Sequence, residues 1–108
     1  MSSIKLPRWI KIGPFRFAVH RFNQVKRDDQ IWGSINYWRS LIKIKGGSSV
    51  QNQAVALMHE LVHGLLWTNK KHELNEDEEF IEWLSTALLD TLWHTPGLLQ
   101  YLKNTSPK

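Results

Sequence analysis

The chain has 108 residues, 42% hydrophobic and 22% charged, which suits one folded domain over residues 1–108 and excludes a disordered or fibrous chain. It has no cysteine, so disulfides and thiolate metal sites are excluded, and any metal must sit on His, Asp or Glu. The net charge of +4 hides an asymmetry: residues 1–47 carry ten Lys/Arg against Asp28 and Asp29, and residues 48–108 carry four Lys against eight Asp/Glu. No nucleic-acid motif accompanies the basic half, so a solvated strand surface beside an acidic helical layer is its plainer reading. Six tryptophans are many for this length and are expected to help fill a small core. The N-terminal MSSIKLPRWIKIGPF lacks the apolar run of a signal peptide, and no stretch approaches the roughly 20 apolar residues of a membrane span. A cytoplasmic protein that does not enter a membrane is the expectation.

The first 47 residues read as β structure. Phe15, Phe17 and Val19 alternate with Arg16, Ala18 and His20, the period-two pattern of a half-buried strand, and Pro14 allows a turn before it. Asn23 to Gln30 is polar and reads as a loop. IWGSINYW (31–38) and LIKIK (41–45) read as a hairpin joined at Arg39-Ser40, ended by Gly46-Gly47. The remainder reads as helix. Ser48 and Gln51 form a capping-box pattern before an apolar-periodic run over about 50–67. TNKKHELN (68–75) reads as a loop. Asn75 can cap a second helix over about 76–93, whose acidic first turn suits the helix dipole. Its expected inner stripe is Phe80, Trp83, Leu84, Ala87, Leu88, Thr91 and Leu92. Pro96-Gly97 stops it, and LLQYLKN (98–104) adds a short helix. The fold class is α+β, a small antiparallel or mixed sheet of three or four strands within 9–45 packed on two main helices.

Within the first helix lies HELVH (59–63). Residues i and i+4 share one helix face, so His59 and His63 can hold one ion. Glu60 lies about 100° further round, out of ligand range and beside the water that a bound metal would activate, where a general base belongs. The plainer alternative is two histidines on a partly buried helix face, satisfied by backbone or water. A catalytic zinc ion takes three protein ligands and keeps one position open. Downstream candidates for the third are His72, Glu73, Glu76, Asp77, Glu78, Glu79, Glu82, Asp90 and His94. The longer pattern HExxHxxGxxH is absent, since Gly64 follows His63 directly and Thr68 and Asn69 stand where its last histidine belongs. A glutamate of the second helix is left.

Residues 32–96 resemble the minimal gluzincins and the phage-type relatives of the ImmA/IrrE metallopeptidases. The resemblance rests on WGSINYWRSLIKIKGG, LMHELVHGLL and EEFIEWLSTALLDTLWHTP in that order. It implies a zincin-like fold, a Zn²⁺ cofactor and peptide hydrolysis, with His59, His63 and a helix glutamate as ligands and Glu60 as catalytic base. In thermolysin-like gluzincins apolar residues follow the ligand glutamate after two, five, nine and ten positions. Glu79 gives Ile81, Leu84, Leu88 and Leu89, and is the expected ligand. Glu78 (Phe80, Trp83, Ala87, Leu88) and Glu82 (Leu84, Ala87, Thr91, Leu92) are the alternatives. Trp83 stands where the family's outer carboxylate would be, so another group must orient the histidines. Candidates by type for stabilising an oxyanion are His72, His94, Tyr37 and Tyr101. The expected function is a zinc metalloendopeptidase, its peptide substrate adding to strand 41–45 beside Lys43 and Lys45. Residues 96–108 could fold over the cleft and keep it latent. The rival function is a zincin-like binding module, catalytically weak or inactive, contacting a protein or nucleic acid through the basic half.

Overall fold

The computed structural model describes residues 4–22 and 32–107. The expected loop at 23–30 and the strand start at Ile31 lie outside these residues. Four strands, β1 (Trp9–Ile12), β2 (Phe15–Phe22), β3 (Gly33–Asn36) and β4 (Leu41–Lys45), precede four helices, α1 (Val50–Thr68), α2 (His72–Asn75), α3 (Glu78–His94) and α4 (Leu98–Asn104). The α+β class and the four-strand count agree with the expectation.

Sheet order is β1-β2-β4-β3. Gly13, at φ +61°, and Pro14 form the two-residue turn between antiparallel β1 and β2, a left-handed position that glycine takes without strain. The hairpin of β3 and β4 is also present, its turn tied by the Asn36 side chain accepting from the Arg39 amide at 3.0 Å. Between β2 and β4 the pairing is parallel, so the sheet is mixed. β4 therefore has neighbours on both sides and offers no free edge. The expected docking of a substrate beside 41–45 is corrected on this ground: the edge next to α1 is β3.

The alternation puts Phe17 and Val19 of β2, Ile42 and Ile44 of β4, and Ile12 of β1 on one face, where they bury against Ala56 of α1 with Leu57, Leu61 and Trp67 at the margin. Each buried aliphatic contributes about 1.5–3 kcal/mol. The tryptophans do not fill this core. Trp9, Trp32, Trp38, Trp83 and Trp93 are exposed, and Trp67 is half-buried. The reason is the close approach of helix and sheet. A Cβ on Gly64 would stand 2.8 Å from Ile12 Cδ1 and 3.2 Å from Ile35 Cδ1, a spacing that branched aliphatics fill and indoles do not.

Four local expectations change. The α1 cap is Ser49, whose side chain accepts from the Asn52 amide, while Ser48 Oγ donates back to the Lys45 carbonyl. α3 is capped by Asp77, accepting from the Phe80 amide at 3.1 Å, and not by Asn75. The stretch 68–75 holds the one-turn α2. Between α1 and α2 the chain makes a Schellman stop: Lys71 N–H donates to Leu66 O and Lys70 N–H to Trp67 O, with Lys70 left-handed at φ +59°. The buried line of α3 is Ile81, Ser85 and Leu89, a rotated version of the predicted stripe that leaves Trp83 and Leu88 outside. Among the described residues no helix is long and apolar enough to cross a membrane.

Candidate metal centre

α1 carries HELVH across its middle, and α3 packs alongside it. The i, i+4 spacing brings the His59 and His63 rings to 5.0 Å between centroids. Across from them stands Glu78, the first residue of α3. His59 Nε2 lies 3.2 Å from Glu78 Oε1, and His63 Nε2 lies 3.3 Å from Glu78 Oε2. Among the described residues His59, His63 and Glu78 form a group whose donor atoms could converge on one ion. Glu79, the favoured ligand from sequence, is not in the group. It sits one residue step further round α3, about 100° away, and is replaced at the histidines by Glu78.

The spacing of the donor atoms bears on what they suit. A charge-assisted N–H···O bond is about 2.7–2.9 Å long. Ligands at 2.0–2.2 Å around a tetrahedral ion are separated by roughly 3.3 Å. Both Nε2···Oε distances are longer than that hydrogen bond, and each histidine faces a different oxygen of the Glu78 carboxylate.

The other ring nitrogens are also engaged. His63 Nδ1 donates to Asn75 Oδ1 at 2.7 Å, and Asn75 Nδ2 donates to the Tyr37 hydroxyl at 3.1 Å. Tyr37 in turn stacks on Trp67, with centroids 4.8 Å apart and planes 8° from parallel. His59 Nδ1 faces Glu82 Oε1 at 3.3 Å. His63 is thus held through Nδ1 with Nε2 turned to Glu78, the arrangement in which an outer acceptor fixes tautomer and orientation, while His59 stands between the Glu78 and Glu82 carboxylates. Trp83, at the position expected to hold an outer acid, projects into solvent at 61% exposure. The α2 residue Asn75 takes that role for His63. Asn75 was assigned as a cap from sequence; the signal against that was Asp77, a second capping residue three positions before Phe80.

Glu60 is buried, at 7% exposure. Burial raises its pKa above the ordinary carboxylate range, His59 and His63 oppose this by favouring the charge, and Glu78 adds to the rise. Gly33 of β3 leaves it space: a Cβ there would stand 3.4 Å from Glu60 Cγ and 3.1 Å from the Lys43 carbonyl oxygen. Glu60, His59 and Glu82 line a cleft of about 560 Å³ with Trp32 and Gly33 at the β3 edge and Asn52, Val55 and Ala56 on α1. Tyr37 is close to the centre, and burial raises its pKa, with the Asn75 hydrogen bond opposing. His72 and Tyr101 are exposed elsewhere, and His94 pairs with Asp90 at 3.0 Å at the end of α3. No residue of the described tail lines the cleft.

No protein-family model matches the chain, and no curated protein or solved structure matches it either.

Proposed function

We propose that the chain is a zinc-dependent metalloendopeptidase. One observation carries the reading: two imidazole Nε2 atoms face the two oxygens of one carboxylate at 3.2 and 3.3 Å, while His63 Nδ1 is hydrogen-bonded to Asn75. That is a three-ligand set with N and O donors, which suits Zn²⁺ and leaves a coordination position for chemistry. His59, His63 and Glu78 would hold the ion. When bound, Zn²⁺ supplies Lewis acidity to a peptide carbonyl and to water.

The chain's own residues do the rest. Asn75 keeps the His63 ring in one tautomer. The β3 edge, which lies beside the cleft and is unpaired on one side in the described sheet, can accept an extended peptide through main-chain hydrogen bonds. Glu60 takes the proton of the attacking water as its oxygen bonds to the scissile carbon. It returns that proton to the nitrogen as the C–N bond breaks.

The test is zinc content and cleavage of an unfolded protein, wild type against Glu60→Ala. Wild type and variant should each hold about one zinc, and cleavage should fall by roughly 10²–10⁴ in the variant. Equal cleavage, or a wild type that takes up no zinc, overturns the reading.

A further inference from the structure

The helices cover one face of the sheet. Strand alternation turns Trp9, Lys11, Arg16, His20, Ser34 and Lys43 to the other face, and all six are exposed. Register places Lys11 directly opposite Arg16, and His20 opposite Lys43. Like charges directly opposed, as Lys11 and Arg16 are, destabilise a sheet, and the described strands contain no acidic residue to offset them. The Arg16 guanidinium lies over the Trp9 ring at 4.1 Å, and at the β3 side Lys45 Nζ lies 5.7 Å from the Trp32 ring. Arg16 and His20 are four residues apart on β2, about 13 Å. The face is therefore a cationic strip with a cation-stacked indole at its β1 edge.

We propose that this face binds single-stranded nucleic acid, with backbone phosphates on Lys11, Arg16 and Lys43 and a base stacked at Trp9. Cations interleaved with aromatic rings on an open surface suit unpaired bases, whose faces are free to stack. The face is an open sheet with no helix on it to enter a duplex groove. Its indoles lie under cations and do not project as apolar anchors, which disfavours a lipid surface. The acidic residues around Glu78 lie beyond α1 and repel phosphate, so a bound strand is confined to the sheet. The inference is independent of the peptidase reading.

The experiment is fluorescence anisotropy of a fluorescein-labelled dT12 titrated with the full chain at 50 and 200 mM KCl. A 12-base-pair duplex and phosphatidylserine vesicles run in parallel. The single strand should bind tightest, with log K falling against log salt by about 0.7 per phosphate contact. Lys43→Ala and Arg16→Ala should each lower that slope by about 0.7, and Trp9→Ala should weaken binding by roughly 5- to 100-fold. Glu60→Ala should bind like wild type. Melting curves check that each variant is folded, and Lys43→Gln stands in if Arg16→Ala, which removes the partner of Trp9, is not. No binding at 50 mM salt, or indifference to these substitutions, overturns the proposal. Equal affinity for duplex or vesicles also overturns it, as does a salt-sensitive dimer that occupies the face in sedimentation.

Discussion

Glu78→Gln and Glu79→Gln separate the geometry from the sequence pattern. Both remove one negative charge from the first turn of α3, so helix-dipole effects are matched. They differ only in the face of α3 they touch. Glu78 Oε1 and Oε2 lie 3.2 and 3.3 Å from the two Nε2 atoms, whereas Glu79 is outside the group. Removing an outer partner of a metal ligand costs 10–100-fold in affinity, so loss of the anionic ligand itself should cost about 100-fold or more. At free zinc of about 100 Kd, a single site stabilises the folded state by about 2.7 kcal/mol. For a domain of this size that raises the melting temperature by roughly 10–20 °C. A 100-fold weaker Glu78→Gln site at the same zinc keeps only about 0.4 kcal/mol, a shift of about 2–3 °C. Glu79→Gln should keep the full shift. Thermal melts with and without zinc, with a chelator-competition titration for Kd, read this directly. A Glu79→Gln variant that loses the shift while Glu78→Gln keeps it refutes the assignment.

Asn75→Ala removes the acceptor for His63 Nδ1 and should weaken zinc binding 10–100-fold in the same titration, with Tyr37→Phe giving a smaller loss because it touches only Asn75. Metal-free Glu60→Gln should differ from wild type in its pH dependence. The folded pKa of Glu60 is raised by burial, so its contribution is fully present below the unfolded pKa and is lost as pH rises through the folded pKa. Urea midpoints should therefore show Glu60→Gln gaining on wild type from pH 4 to pH 8, and a constant difference would contradict the burial argument. Lys70→Gly relieves a left-handed residue at the Schellman position and should stabilise by about 0.5–1 kcal/mol in urea unfolding, the strain of about 1–2 kcal/mol being partly offset by the entropy of glycine in the unfolded chain.

What could be read from sequence was what depends on local period. The strand alternation of 15–20 and 41–45, the apolar run around HELVH and the acidic start of the following helix all left local marks, and β2, β4 and the two main helices stand near their expected bounds, while the strand expected over 31–38 is the shorter β3. The parallel pairing of β2 with β4 had no local mark, because it is made by a connection and not by a turn. That one pairing moved the free edge from 41–45 to β3. The tryptophans misled because hydrophobicity alone says nothing of room; Gly64 sets the helix-to-sheet spacing, and its reason shows only when Ile12 and Ile35 are in place.

The choice between Glu78 and Glu79 was a question of helix phase, and phase depends on where a helix is docked. The apolar offsets fit both residues nearly equally, since one step of about 100° exchanges one set of leucines for another. What fixes the phase is the buried line Ile81, Ser85 and Leu89. Ser85 hides its hydroxyl by donating to the Ile81 carbonyl at 2.8 Å, so a polar residue can occupy the most buried turn of the helix. A hydrophobic stripe drawn from sequence skips that serine and rotates toward Trp83 and Leu88. With Ser85 inward, Glu78 and Glu82, one turn apart, face α1 together, and reach opposite nitrogens of His59. The same rotation explains the candidate ligand, the second carboxylate beside His59 and the exposed tryptophan. A Ser85→Ala variant should therefore leave the zinc-induced melting shift intact, since it keeps the inward face small; a larger residue at 85 should push α3 away and lose that shift together with stability.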